Sequence, residues 1–310
     1  TNLALDDYGN TRYIGANPNN YVSIDGELWR IIGVMKDVDD GTGNKSDRVK
    51  LIRSESIGQY SWDTSESSVN DGDGVNEWSQ ADLMKLLNPG YESESVGGSL
   101  YWNGGSGTCY YGANNATESC NFTSTGIKDK LKTLIGDAVW NTGSNETNID
   151  TNATFPNFYN LERSNNTGKI CSSGNYCNDT VSRTTTWTGK VGLMYPSDYG
   201  YATSGSSTIN RATCLNAPLS DWNSTTYLDC LKNNWFISLG KIGLFGKWSL
   251  MPYASSSKAS TVISVGQLDT DIENYRSHYT YAVLPSAYLK TSVKISSGTG
   301  SESDPFTLSY

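Results

Sequence analysis

His278 is the only histidine in the chain, and it sits in a Tyr-rich polar stretch with no nucleophile or metal-ligand spacing around it. Imidazole acid–base chemistry therefore has a single candidate, and a lone histidine without a motif reads as a surface residue. Carboxylates are plentiful, yet no spacing singles out a glycosidase pair. A cysteine nucleophile would need a free thiol and a base. Neither a nucleophile elbow nor a phosphate loop occurs at a strand–helix junction. The expectation is a protein that is not an enzyme, with no catalytic residue assigned.

The six cysteines fall into three close pairs: Cys109 and Cys120, Cys171 and Cys177, Cys214 and Cys230. Each pair lies in a Gly/Asn/Ser/Thr-rich segment, where a clip would close a loop lacking its own core. Three local disulfides in that order are expected, although spacing alone does not fix connectivity. Zinc is the weaker rival, since one histidine and no C-x-x-C make a poor ligand set. Disulfides imply an oxidising, extracellular setting. Calcium stays open as a cofactor. D-V-D-D-G-T-G-N (37–44) and N-D-G-D-G-V-N-E (70–77) put hard oxygens in short turns, though neither has the EF-hand spacing. No other cofactor or metal is expected. Asn115, Asn121, Asn145, Asn152, Asn165, Asn178 and Asn223 open N-x-S/T sequons, which matter only where glycosylation machinery exists.

A net charge of −9 without a basic stripe argues against nucleic acid. No apolar run approaches the roughly eighteen residues of a membrane span. No signal peptide stands at Thr1, so a mature or truncated ectodomain is expected, attached to a membrane only through an upstream anchor. Aromatic residues make up 11%, too many for a disordered chain, so a globular fold with wide polar loops follows.

Residues 1–20 lack a sustained period and read as a lead-in to a single domain over 21–310. Tyr21, Val22 and Ile24 precede the hairpin signal Asp25-Gly26, and Leu28 to Val34 form the partner strand. An acidic turn over Asp37 to Asp47 leads to a third strand at Val49 to Ile52. W-S-Q-A-D-L-M-K-L-L-N-P-G (78–90) is the clearest helix, with Ser79 as cap and Asn88-Pro89-Gly90 as stop. A second helix is expected from about Thr125 to Trp140, with Ile127, Leu131, Leu134, Ile135 and Val139 on one face. Segments 97–125 and 141–186 read as loop insertions. Val191 to Met194 reads as a short buried strand, and the 297–308 segment as a turn with a closing strand.

The segment from Trp248 to Lys290 divides into two kinds of residue. Trp248, Leu250, Pro252, Val283, Pro285, Tyr288 and Leu289 need a core. Between them, around a β-rich Val262, Ile263 and Val265, stand Ser, Tyr, Asn, Asp, Lys, Arg and Gln. Tyr supplies contact area at low conformational entropy, and Ser and Asn supply adaptable hydrogen bonds. A recognition surface fits that composition. A solvent-facing hairpin fits it too.

Six stretches carry a likeness to a known family: Y-V-S-I-D-G-E-L-W-R-I-I-G-V (21–34), E-W-S-Q-A-D-L-M-K-L-L-N-P (77–89), V-G-L-M-Y-P-S-D-Y-G-Y-A-T-S-G (191–205), W-S-L-M-P (248–252), A-V-L-P-S-A-Y-L-K (282–290) and S-G-T-G-S-E-S-D-P-F-T-L (297–308). Together they resemble secreted bacterial surface and prepilin-like proteins with a C-type-lectin-like C-terminal domain. They are similar to the variable proteins of diversity-generating retroelements. The resemblance implies an α+β fold of C-type-lectin-like type, with antiparallel sheets, two main helices and long disulfide-clipped loops. It also implies an adhesin-type ligand-binding protein, with variable positions alternating with framework ones. The candidates are Tyr253, Ser257, Lys258, Thr261, Ser264, Gln267, Asp269, Asp271, Asn274, Tyr275, Arg276, His278 and Tyr279, with the Tyr195–Tyr201 turn beside them. Partners would be a protein or glycan ligand on another cell or a phage. Two positions depart from the pattern: Leu284 and Tyr253 stand where relatives carry Arg. A structural pilin-like subunit without free-ligand binding is the alternative. A lectin-fold enzyme would need reactive cysteines, which this chain places in local clips.

Overall fold

The computed structural model describes residues 2–63, 76–79, 81–88, 107–111, 115–120, 129–143, 153–164, 184–239, 246–252, 261–265, 272–277 and 279–310, with backbone alone at 82, 85, 107–111, 115–120, 129, 261–265 and 272–276. The chain is α+β with mostly antiparallel sheets.

Its first half follows from a hairpin. Strands β1 (Leu3–Leu5), β2 (Thr11–Tyr13), β3 (Tyr21–Ile24), β4 (Glu27–Asp39), β5 (Lys45–Arg53) and β6 (Gln59–Ser61) come first. Ile24 faces Glu27, and Asp25 and Gly26 between them have φ of 52° and 79°. Positive φ at both central residues is the turn whose twist matches its strands, and it explains why Asp-Gly stands there. The β4–β5 ladder runs on to Asp39 and Lys45, so the expected turn at Asp37 to Asp47 shortens to 40–44. The Asp39 carboxylate accepts the Gly41 and Gly43 amides there, and Asp40 accepts the Thr42 amide and hydroxyl. The lead-in expected over 1–20 instead supplies β1 and β2, and β2 pairs with β4. Backbone pairing recruits residues whose sequence shows no period.

Next come α1 (Asp82–Leu87), β7 (Gly107–Tyr111), β8 (Asn115–Cys120), α2 (Asp129–Leu134), β9 (Ala138–Asn141), α3 (Phe155–Glu162), β10 (Thr186–Gly189) and β11 (Val191–Gly192). Helix α1 buries Leu83, Met84, Leu86 and Leu87 as expected. Ser79 is not its cap: Ala81 is, and the Ser79 hydroxyl donates to Glu77. The helix expected over 125–140 ends at Leu134. The Gly136 amide donates to Tyr288, and Val139 and Trp140 join β9 opposite β10. Strand pairing overrode the helical period. The expected insertion over 141–186 contains α3, which opens with Pro156 in its first turn and buries Phe155 and Phe158.

The last elements are α4 (Pro196–Tyr201), α5 (Arg211–Leu215), α6 (Leu228–Lys232), β12 (Lys247–Pro252), β13 (Thr261–Val265), β14 (Ile272–Arg276), β15 (Thr280–Ala282), β16 (Ser286–Tyr288), β17 (Lys294–Ser297) and β18 (Thr307–Ser309). Two sheets dominate. One runs β1-β2-β4-β5-β16-β11 with β3 added on β4, and the other runs β14-β13-β12-β15-β6. A single apolar cluster connects Trp29, Leu51 and Ile52 of the first sheet, Leu83 and Leu131 of the helices, and Tyr60, Trp248 and Leu250 of the second. The closing hairpin β17–β18 docks on β3, where the Ser23 amide donates to Phe306 and the Phe306 amide donates to Tyr21.

Strand β11 ends the first sheet, and α1 covers that edge. The Asn88 side chain accepts the Val191 amide at 3.0 Å and donates to the Val191 carbonyl at 3.0 Å and to Met84 at 2.9 Å. One side-chain amide thus stops the helix and occupies a sheet edge. Asn88→Ala strands buried backbone groups, and a loss of about 1–3 kcal/mol is expected in urea denaturation.

Candidate functional site

Among the described residues, two places bear on the expected site: the outer strands of the second sheet, and a buried ionic network under α4.

The second sheet is built on β12, whose residues are all buried. The Trp248 indole donates to the Tyr60 carbonyl at 2.7 Å and meets Tyr281 edge-on at 4.7 Å between centroids. Val283 and Leu284 are buried beside it. The departure at Leu284 is therefore a packing position rather than part of an exposed patch. Strands β13 and β14 extend outward from this frame, with β14 at the sheet's outer edge.

Of the candidate recognition residues, Thr261 and Ser264 lie on β13, and Asn274, Tyr275 and Arg276 lie on β14. Thr261 faces Arg276, Val262 faces Tyr275, Ile263 faces Asn274, and Ser264 faces Glu273. Facing residues share a side of the ribbon, and neighbours along a strand alternate. Thr261, Asn274 and Arg276 therefore share one side, and Ser264 and Tyr275 share the other. Tyr279 is exposed just before β15. Tyr253, Ser257, Lys258, Gln267, Asp269, Asp271 and His278 lie outside the described residues.

The Tyr195–Tyr201 stretch, expected as a turn beside that surface, is the cap and body of helix α4, and every residue of it is buried. The reason is ionic. Pro196 opens the helix, and Asp198, in its first turn, turns back so that Oδ2 accepts the Tyr195 amide at 2.9 Å. The same Oδ2 takes Lys50 Nζ at 2.5 Å, and Oδ1 takes Arg12 Nη1 at 2.6 Å. Arg12 Nε reaches Asp6 at 2.8 Å, and Asn10 holds Asp6 through its amide and side chain. From α3, Glu162 accepts the Ser197 amide at 2.8 Å and hydroxyl at 2.6 Å, while Arg163 pairs with it at 2.9 Å. Asp6, Glu162 and Asp198 balance Arg12, Lys50 and Arg163. Burial alone would raise the Asp198 carboxyl, but Lys50 and Arg12 outweigh it and hold it down at about 2. Burial pushes Glu162 up, against the pull of Arg163 and Ser197.

The sequence reading missed this network, whose members lie up to 192 positions apart (residues 6 and 198). The one local signal was P-S-D, a helix-opening proline followed by an acid able to turn back on the chain.

Lys247, first in β12, is 2% exposed, and burial alone brings its ammonium down to about 8. The unfolded value is about 10.4. Between those values the unfolded chain holds a proton that the folded chain lacks, so stability rises with pH in that window. At about 1.4 kcal/mol per unit, Lys247 contributes a gain of about 2–3 kcal/mol between pH 7 and pH 10, to which Lys50 adds and the buried tyrosines Tyr199 and Tyr288 are opposed. The difference between wild-type and Lys247→Met urea midpoints at the two pH values isolates it. Lys247→Met should raise the midpoint at pH 7 and flatten the rise.

Cys214 and Cys230 are bonded as expected, with Cα atoms 5.6 Å apart, closing the loop around the buried Trp222. Cys109 and Cys120 lie in the paired strands β7 and β8, described as backbone alone. Cys171 and Cys177 lie outside the described residues. Among the described residues no group of three or more His, Cys, Asp or Glu side chains gathers as a metal site, and positions 70–75 of the second calcium candidate lie outside them. No helix among them is long and apolar enough to cross a membrane. Compared with known proteins, the chain matches no family model, no curated relative and no solved structure.

Proposed function

We propose that this chain is an extracellular, non-enzymatic binding protein of C-type-lectin-like fold, an adhesin-type module that recognises a protein or glycan through the Trp248–Lys290 segment. One observation carries the reading: within this segment a fully buried frame on β12 and at Val283–Tyr288 holds two outer strands that carry Thr261, Ser264, Asn274, Tyr275 and Arg276. A rigid scaffold presenting adaptable polar and aromatic residues is the usual plan of a recognition surface. The Cys214–Cys230 bond is compatible with an oxidising exterior.

The test exposes labelled protein to a glycan array and to intact bacterial and animal cells. Saturable binding that Tyr275→Ala and Tyr279→Ala weaken, at unchanged melting temperature, supports the proposal. Saturable binding indifferent to both substitutions moves the site elsewhere, and none at all sinks the reading. Sequencing the locus in sibling cells addresses diversification. Substitutions confined to the thirteen candidate positions beside a reverse transcriptase would support it, and uniform sequence would remove it.

A structural-subunit reading has its own observation. Strand β1 ends the first sheet with Leu3 41% and Leu5 67% exposed, an apolar edge of the kind that subunits cover. Concentration-dependent assembly blocked by Leu5→Lys, together with no ligand binding, would favour it.

A further inference from the structure

Lys50 on β5 and Asp198 on α4 stand 148 positions apart in sequence, yet Nζ and Oδ2 meet at 2.5 Å. Their side chains are 1% and 2% exposed. The ammonium lies 4.1 Å from the centroid of the Tyr195 ring, 5.3 Å from Trp140 and 5.7 Å from Tyr288. Arg12 grips the other carboxylate oxygen, Oδ1, at 2.6 Å. We propose that Lys50 and Asp198 condense into an intramolecular isopeptide bond that ties β5 to α4.

The step balances without any co-reactant. A proton passes from Nζ to Oδ2, turning the ion pair into a neutral amine and a carboxylic acid. The amine lone pair then bonds to Cγ, and Oδ1, held by Arg12, carries the negative charge of the tetrahedral intermediate. A second amine proton moves to Oδ2, the Cγ–Oδ2 bond breaks, and one water leaves. Oδ1 becomes the amide carbonyl, still facing Arg12. Ammonium plus carboxylate thus becomes amide plus water.

Three physical features favour the reaction at this pair. Two groups held in contact react with an effective molarity of about 10⁵–10⁸ M. A dry aromatic enclosure around the pair withholds the water that would reverse the condensation. Burial outweighs the pull of Asp198 and brings the Lys50 ammonium down to about 8, so the neutral amine is within reach. Asp198 itself is held ionised, which makes the proton shift within the pair the slow step. The charge balance of the network survives the change, while the Tyr195 amide loses Oδ2 as its acceptor. Condensation removes one positive and one negative charge together, and Arg12 keeps Asp6 as its partner. An internal control exists in Lys36 and Asp47, which also meet at 2.5 Å but are 48% and 46% exposed. Water surrounds that pair, and no condensation is expected there.

Mass spectrometry of the denatured, reduced protein tests the proposal. The expected result is a mass lower by one water and a tryptic map in which peptide 49–53 is joined to peptide 191–211, cleavage after Lys50 being blocked. Tandem spectra place the branch at Lys50 and Asp198. Linear 51–53 and 191–211 in full yield would overturn it, as would a water lost only from a linear peptide. Lys50→Arg keeps the charge without the nucleophile and should restore the unbranched mass. Should that variant fail to fold, the wild-type map decides alone.

Discussion

Asp198→Ala is expected to destabilise the chain by about 3–5 kcal/mol, the range for breaking a buried ion pair and leaving a charge behind. Asp198 satisfies Lys50, Arg12 and the Tyr195 amide at once. After its removal Arg12 retains Asp6, whereas Lys50 faces three aromatic rings with no carboxylate bonded to it. The loss should therefore trace mainly to Lys50, whether the pair is ionic or joined by an amide. Lys50→Met in the Asp198→Ala background should recover much of the stability, because it removes the stranded cation. A double-mutant cycle by urea denaturation reads this coupling. Simple additivity of the two losses would show that the network has no energetic unity and that α4 is held by its apolar packing.

Trp248→Ala should be of similar size, about 3–5 kcal/mol, because a large buried aromatic leaves both a cavity and an unpaired acceptor. The Trp248 ring packs against Trp62 and Tyr281, and its indole holds the Tyr60 carbonyl. Strand β12 is the element from which β13 and β14 extend, so this loss should loosen the whole outer ribbon. Tyr279→Ala, at an exposed position, should stay within about 0.5 kcal/mol of wild type. Thermal melts of the two variants separate frame from face. A comparable loss at Tyr279 would mean that the residue belongs to the frame, and its candidacy for recognition would end.

The candidate site divides the same way. The frame of the Trp248–Lys290 segment was readable, because clustered Trp, Leu and Val residues at its two ends gain most by leaving water. The composition of β13 and β14 suggested a recognition surface, but their pairing register separates Ser264 and Tyr275 from Thr261, Asn274 and Arg276. Composition carries no information about which side of a ribbon a residue takes until the strand and its partner are known.

What the sequence by itself determined is local. The Asp25-Gly26 turn required only two residues able to take positive φ, the stripe of α1 required only helical spacing, and the Cys214–Cys230 clip joined cysteines 16 positions apart. Tertiary structure alone decided the rest. Ala138 to Asn141 has helical periodicity on one side but became a strand because β10 was there to pair with it. Residues 3–5 and 11–13 have no period and became strands because β4 offered an edge to β2 and β2 offered one to β1. Asp198 looked like a turn residue and became the centre of a buried network because Arg12, Lys50 and the α3 helix converge on it from distant parts of the chain. Local signals report the conformational preferences of neighbouring residues. The value of a charge or a backbone edge depends on what the fold brings opposite to it.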